Sequence, residues 1–239
     1  MSDKSAELHK DHRQRMRKKF LENPASVFED HELLEILLFF SIPRANTNET
    51  AHRLIRQFGS FANVFDAPYH KLTEVDGVGA SSAFLIRLIS AVSARYLQSR
   101  NGENPKITTR EEAARFLQPY FLGKDHEALY ALMLDGSRRV IQTVLINEGN
   151  NNQVSVNAHY LMNKVTACGA KSFLIAHSHP GGFASPSSED VMTTLFMLDF
   201  FRESKIPMLD HLIFSNKAVF YFSAYDNPEI TKQLGFAKQ

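Results

Sequence analysis

A change in hydrophobic pattern near residue 100 is the feature that most constrains how this chain folds. Before it, apolar residues recur every fourth position, as in Ala83–Leu97, which is typical of amphipathic helices. After it, short apolar runs such as Phe173–Ala176 and Leu209–Phe214 alternate with helical segments such as Asp190–Phe201. The first part therefore indicates an all-helical domain, and the second an α/β or α+β domain built in layers.

The boundary between these parts is marked by a polar segment. Residues 101–106 contain Gly102 and Pro105 and no apolar repeat, which is typical of a linker. We therefore predict a helical domain over residues 1–100, a linker over 101–106 and a domain with strands over 107–239.

The composition excludes several classes of protein. The chain has 239 residues, of which 44% are hydrophobic and 22% charged, as in ordinary globular proteins. It lacks an apolar run of about 18 residues, so we expect no membrane partner, no secretory signal and a cytoplasmic location. A single cysteine, Cys168, excludes an intrachain disulfide and a cysteine-rich zinc finger. The formal net charge of +1 is not that of a broadly basic nucleic-acid binder.

Candidate metal ligands follow the predicted strand Phe173–Ala176. His177 and His179 are two residues apart, so in an extended segment their side chains point the same way. Asp190, at the start of the next predicted helix, can add a carboxylate. Two imidazoles and one carboxylate leave a fourth tetrahedral position for water, which is the arrangement of a catalytic zinc site.

The spacing of these residues resembles a known motif. His-x-His-Pro, six further residues and then Ser-x-x-Asp is the motif of the JAMM or MPN metallopeptidases, matched here at His177, His179, Pro180, Ser187 and Asp190. Together with the downstream Asp210-His211 pair, it makes the chain similar to the RadC family, often labelled DNA repair proteins.

The resemblance implies both a fold and an activity. It implies an all-α domain with a helix-hairpin-helix, followed by an α/β JAMM/MPN domain of cytidine-deaminase-like fold with a mixed sheet. It further implies a Zn2+ cofactor bound by His177, His179 and Asp190. The expected reaction is hydrolysis of an amide or isopeptide bond in a protein or peptide substrate.

A hydrolase of this kind needs a general base. The family's glutamate begins the first strand of the JAMM domain, and Glu127, followed by apolar residues up to Asp135, fits that pattern. Glu148 is the competitor, because it lies closer in sequence to the ligands. We prefer Glu127.

Other residues of the motif have two interpretations. Ser187 resembles the family serine that is taken to donate a hydrogen bond to the oxyanion, and is otherwise a residue that caps a helix. Ser178 stands where most RadC relatives have asparagine. His211 matches the family's Asp-His pair, and we favour a supporting histidine over a ligand.

The helical domain contains a candidate DNA contact. Gly77, Val78 and Gly79 lie between two predicted helices, where glycines allow a tight turn and expose backbone N–H groups to a phosphate. Such hairpins bind DNA without regard to sequence, but many serve only in packing.

Two classes of function therefore stand. One is a zinc metallopeptidase, and the other is a non-catalytic DNA-associated protein that uses its helix-hairpin-helix. A zinc nucleobase deaminase is disfavoured, because its Pro-Cys-x-x-Cys motif needs more than one cysteine. The presence of Glu127 together with all three ligands favours the enzyme.

Overall fold

The chain forms two compact units, which we describe separately. The computed structural model describes residues 2–43, 45–149 and 157–236. The units comprise residues 1–92 and residues 93–239.

The boundary between the units lies upstream of the predicted linker. It falls inside α6, a helix that runs from Ala80 to Arg100. Residues 101–106 belong to the second unit, where the amide of Val140 donates a hydrogen bond of 2.9 Å to the carbonyl of Pro105. Composition identifies this segment as irregular, but does not show that its backbone pairs with a strand.

The first unit is helical, as predicted. Its helices are α1 (Ser2–Glu22), α2 (Asp30–Leu38), α3 (Thr47–Phe58), α4 (Phe61–Asp66), α5 (Tyr69–Thr73) and the first part of α6. The apolar faces of α2 to α6 meet in a core in which Leu34, Leu38, Leu54, Leu72 and Ile86 are fully buried. None of the described helices in either unit combines the length and the apolar character needed to cross a bilayer.

Local chemistry explains where these helices begin and end. The side chain of Asn46 accepts a hydrogen bond from the amide of Asn48 and so caps the start of α3. Gly59 ends the same helix with φ of +82°, a left-handed conformation that glycine adopts without steric cost.

The second unit is a sheet with helices on both faces. Its strands are β1 (Ala128–Leu134), β2 (Val140–Glu148), β3 (Ser172–Ser178), β4 (Met208–Phe214) and β5 (Val219–Tyr221). The helices that follow the end of α6 are α7 (Arg110–Leu117), α8 (Ala158–Ala167), α9 (Ser188–Phe201) and α10 (Pro228–Thr231). The helix predicted over Val156–Thr166 is α8, and its first predicted residue, Val156, lies outside the described residues.

The sheet is mixed, as the resemblance implied. The strand order is β2-β1-β3-β4-β5, and only the pair β3 and β4 is parallel. Strands β1, β3 and β4 are buried along their whole length, because both faces of the sheet are covered. The carboxyl ends of β3 and β4 therefore lie at the same edge of the sheet, beside the start of β1.

Alternate residues of the central strands supply two separate cores. Phe173 and Ile175 of β3 pack with residues of α8 and α9 on one face, whereas Leu174 and Ala176 pack with α7 on the other. This alternation matters for the site, because residue 177 continues the first series and residue 178 the second.

A buried carboxylate holds the end of the sheet in place. Asp210 of β4 is fully buried and accepts hydrogen bonds from the amides of His211 and Ser223, at 2.8 and 2.9 Å, and from the Ser223 hydroxyl at 2.6 Å. These bonds fix the turn Phe222–Ala224 against β4. Burial nevertheless raises the pKa of Asp210 from 3.8 to about 6.

The raised pKa of Asp210 predicts a specific pH dependence of stability. The folded chain holds this proton more tightly than the unfolded chain, so protonation favours folding. Relative to Asp210→Asn, the parent's free energy of unfolding should be highest below pH 3.8 and fall by up to about 3 kcal/mol as the pH rises to about 6. Urea unfolding of both proteins across this range measures the difference, and other titrating groups cancel in it. A difference that stays constant or rises with pH would contradict the assignment.

Candidate metal centre

Strand β3 delivers two histidines to the edge of the sheet. His177 is the penultimate residue of the strand, and His179 follows its end, where its amide donates a hydrogen bond of 2.8 Å to the carbonyl of Phe214. On the ring of His179, Nδ1 lies 3.0 Å from the carbonyl oxygen of Phe183. A carbonyl can only accept, so Nδ1 carries the proton and Nε2 is left without one in the neutral ring.

The start of α9 delivers a carboxylate to the same place. Ser187 is the N-cap residue, and its hydroxyl accepts a hydrogen bond of 3.1 Å from the amide of Asp190. In return, Asp190 Oδ2 accepts from the amide of Ser187 at 2.8 Å and from its hydroxyl at 2.7 Å. This capping box fixes the rotamer of Asp190 and satisfies backbone donors at the helix start.

The three side chains converge on one point. The Nε2 atoms of His177 and His179 are 2.9 Å apart, and Asp190 places its carboxylate oxygens 3.0 Å from the first and 3.5 Å from the second. Among the described residues, this is the group of histidine, cysteine and acidic side chains that can hold a metal ion. Sequence spacing predicted all three members, and the structure brings them together.

The proximity of these side chains perturbs the protonation of Asp190 and His179. Burial by itself would raise the pKa of Asp190, but its polar contacts with the rings of His177 and His179 outweigh that effect and hold the pKa well below its ordinary value. The hydrogen bond with Asp190 likewise raises the pKa of His179, against the opposing effect of burial. The group therefore behaves as a strong site for positive charge.

Glu127 lies at the neighbouring edge of the sheet. It directly precedes β1, and β1 pairs antiparallel with β3 so that Leu129 faces His177. Continuing that register by two residues sets Glu127 opposite His179, on the same face of the sheet. The negative charge of Glu127 is a smaller contribution to the raised pKa of His179, after the hydrogen bond with Asp190.

The competitor, Glu148, is engaged elsewhere. It ends β2, and its Oε1 pairs with the ammonium group of Lys124 and with His126 Nε2, the latter at 2.7 Å. The hydrogen bond from Lys124 is the main reason that the pKa of Glu148 is lowered. A carboxylate stabilised in this way is a weak base, so the geometry favours Glu127.

Ser178 and Ser187 occupy supporting positions. Ser178 points away from the two ligands, as the alternation predicts, and its hydroxyl accepts a hydrogen bond of 3.3 Å from the amide of Ala128. That bond fixes the backbone next to Glu127. Ser187, the predicted oxyanion donor, directs its proton to Asp190 Oδ2 in this structure.

Two further residues lie beneath the ligands, and sequence reasoning found only one of them. His211 Nε2 is 2.8 Å from His177 Nδ1, so His211 contacts this candidate ligand through the ring nitrogen that does not face Asp190. Complete burial, and then the neighbouring His177, lower the pKa of His211 well below its ordinary value. Its other ring nitrogen meets the Thr194 hydroxyl at 2.7 Å. Thr194 was missed, because its place four residues after Asp190 puts it on the same helix face without distinguishing it from a core threonine.

The predicted DNA contact lies in the other unit. A turn separates α5 from α6, and Gly77 has φ of +86° there, with a substituted Cβ falling 2.9 Å from Thr50 Oγ1. Arg53 binds both the carbonyl and the carboxylate of Asp76, at 2.9 and 3.2 Å. The packing of the turn thus explains Gly77, whereas a Cβ on Gly79 would meet open space.

Comparison with known proteins places both units in described families. Residues 107–228 match the model described as a RadC-like JAB domain, and residues 9–84 match the one described as UPF0758 N-terminal. A UPF0758 protein of Fusobacterium nucleatum subsp. nucleatum is 29% identical over 218 residues, which cover 88% of this chain and 94% of the relative. A UPF0758 protein of Coprothermobacter proteolyticus is 30% identical over 190 residues, or 77% of this chain and 80% of the relative.

The capping box predicts that Ser187 matters for stability before any ligand is considered. Ser187→Ala removes the acceptor for the Asp190 amide and should lower the free energy of unfolding by about 1 kcal/mol. Ser188→Ala, one residue further and exposed, makes the same change without removing a cap and should cost less than about 0.5 kcal/mol. Urea denaturation followed by circular dichroism compares the two. Equal losses would mean that the capping box contributes nothing.

Proposed function

The chain belongs to the RadC-like JAB domain family, and on that premise we propose that its second unit is a zinc-dependent metallopeptidase. The proposed reaction is hydrolysis of an amide or isopeptide bond in a protein or peptide substrate. The observation that carries the proposal is the convergence of His177 Nε2, His179 Nε2 and the Asp190 carboxylate.

The donor set fits zinc. Imidazole nitrogen and carboxylate oxygen are ligands that zinc accepts, and three protein ligands are the number found in catalytic sites. The side chains of His177, His179 and Asp190 are 5%, 17% and 16% exposed, so the site is sheltered but still reached by solvent. With an open fourth position, zinc lowers the pKa of water and polarises a carbonyl oxygen.

Glu127 is the proposed general base. Its carboxylate takes a proton from the attacking water and later delivers it to the leaving amine. The hydrogen bond between Ser178 and the Ala128 amide supports this role, because it anchors the backbone beside Glu127 to the strand that carries the histidines. Glu127 and the histidines are thereby held at the ends of adjacent strands, which limits their movement relative to each other.

Ser187 is the proposed oxyanion donor, and it shares that role with helix capping. To donate to an oxyanion, the hydroxyl must rotate its proton away from Asp190 Oδ2, to which it donates in this structure. The hydroxyl oxygen can keep its bond from the Asp190 amide during that rotation, so the cap survives.

Association with DNA through Gly77, Val78 and Gly79 is the alternative function. The open space at Gly79 is compatible with a phosphate, but the exposed carboxylate of Asp76 next to the turn repels one. Arg53, a basic side chain at this turn, is paired with Asp76 and Glu49. The enzyme is therefore the proposal that we put first.

Metal content tests the ligand set. Protein purified without a histidine tag should contain about one zinc per chain, as three side chains form one complete set of ligands. His179→Ala should lose this zinc. His159→Ala removes an exposed histidine of α8 instead and should retain it. Elemental analysis by mass spectrometry gives the content, and zinc retained by His179→Ala would show that the ligands lie elsewhere.

Glu127→Gln separates catalysis from metal binding. Glutamine keeps the size of the side chain but cannot accept the proton, so turnover should fall by about 10²–10⁴-fold while zinc content and folding stay intact. Cleavage is measured with a panel of fluorogenic peptides and isopeptide-linked peptides.

Glu148→Gln is the matched control for this prediction. It makes the same chemical change at the carboxylate that pairs with Lys124 and should leave cleavage unaltered. Cleavage by Glu127→Gln at the parent's rate would overturn the assigned base. A parent that binds zinc but cleaves no member of the panel would favour the DNA-associated alternative.

A further inference from the structure

A chain of buried hydrogen bonds runs beneath the candidate metal centre. It starts at His177 Nδ1, which lies 2.8 Å from His211 Nε2. It continues from His211 Nδ1 to the hydroxyl of Thr194 at 2.7 Å. It ends where that hydroxyl meets the backbone carbonyl of Asp190, also at 2.7 Å. The chain thus joins two of the three ligands behind the site.

The direction of this chain is set at its Thr194 end. A hydroxyl has one proton, and the carbonyl of Asp190 can only accept, so Thr194 donates to Asp190. The opposite assignment would press two oxygens together at 2.7 Å with no proton between them. Toward His211 the hydroxyl therefore accepts, and His211 carries a proton on Nδ1.

The position of the proton on His211 determines which ring nitrogen of His177 carries a proton. His211 is 1% exposed, and its ring contacts are His177, Thr194 and the face of Phe222, whose centroid lies 4.8 Å away. None of these is a carboxylate, and an unpaired buried imidazolium is costly, so the ring is neutral. A neutral ring protonated on Nδ1 offers Nε2 only as an acceptor. His177 must then donate from its own Nδ1.

We propose that Thr194 and His211 are positioning residues that hold the proton of His177 on Nδ1 and keep Nε2 bare for the metal. The inference rests on the metal role proposed above and assigns two residues to it. His179 reaches the same state by a simpler route, because its Nδ1 donates directly to the carbonyl of Phe183. Both ligands thereby turn their Nε2 lone pairs to the same point.

Removal of the Thr194 hydroxyl should weaken metal binding for a definable reason. In metal-free Thr194→Val the chain can reverse, so that His211 donates from Nε2 and His177 carries its proton on Nε2, 3.0 Å from Asp190 Oδ1. To bind a metal, His177 must move its proton from Nε2 to Nδ1, which it then donates to Nε2 of His211. His211 must in turn carry its own proton on Nδ1, and in the variant that buried N–H has no acceptor. The variant therefore keeps all of its hydrogen bonds when it is metal-free and loses one when it binds metal, which lowers its affinity for the metal.

Zinc affinity is the first measurement. Loss of the direct hydrogen-bond partner of a metal-binding histidine typically costs about 10–100-fold in metal affinity. Thr194 acts one hydrogen bond further away, through His211, so Thr194→Val should bind zinc measurably more weakly than the parent, with about 10–100-fold as the upper limit. Thr194→Ser keeps the hydroxyl and should restore near-parent affinity. Thr193→Val makes the same change one residue earlier on α9 and serves as the control. Competition with a chromophoric chelator gives the affinities of the full-length proteins.

The position of the proton is the second measurement, and it needs no destabilising variant. In zinc-loaded parent labelled with ¹⁵N-histidine, the ring signals of His211 should show a proton on Nδ1 and none on Nε2. These signals are assigned by their loss in His211→Gln.

The outcomes separate this inference from the proposed function. A proton on His211 Nε2, or a Thr194→Val protein with parent affinity, would overturn the inference while a zinc-loaded parent still supported the metal site. A parent that binds no zinc would contradict the proposed function and this inference together.

Discussion

The carboxylate of Asp190 connects the helical scaffold to the candidate metal centre, because its oxygens serve a helix cap and a ligand set together. Oδ2 accepts two hydrogen bonds from Ser187, and Oδ1 faces His177 Nε2 at 3.0 Å. The position of the third ligand is therefore determined by the same interactions that start α9. Any change that moved the beginning of this helix would move the ligand with it. The site is in this sense part of the fold rather than an addition to its surface.

The alternation of a β-strand explains the rest of the arrangement. Three consecutive residues at the end of β3 point to alternate faces, so His177 and His179 meet the metal position while Ser178 meets the backbone of β1. That contact lies next to Glu127, which the register of β1 and β3 sets opposite His179. The strand thus places the ligands with its odd-numbered side chains and steadies the proposed base with the even-numbered one. A one-residue shift in the pairing of β1 and β3 would separate the base from the ligands.

Much of this could be predicted from sequence, and the exceptions have physical causes. The convergence of His177, His179 and Asp190 could be predicted because the two histidines are two residues apart at the end of a strand and the aspartate starts a helix, which are local patterns. Thr194 could not, because a threonine in an apolar helix is indistinguishable from a core residue until His211, on β4, is seen packed against it. The pairing of Pro105 with Val140 could not be predicted either, since Pro105 and its neighbours look irregular in sequence. In each case the deciding contact joins residues far apart along the chain.

His211 lies deep in the sheet, where a polar side chain destabilises the fold unless its hydrogen-bonding groups are paired. In the parallel register it pairs with Ile175, one step deeper than His177, and it stacks on Phe222 with an angle of 7° between the rings. An apolar residue would fill this place without needing partners, whereas a buried polar group destabilises the fold unless every donor and acceptor is satisfied. Here Thr194, His177 and the carbonyl of Asp190 satisfy the chain completely. Packing alone gives no reason to keep these polar groups in an otherwise apolar core. The proposed role of orienting His177 toward a metal gives one, and it accounts for why the polar chain ends at two candidate ligands.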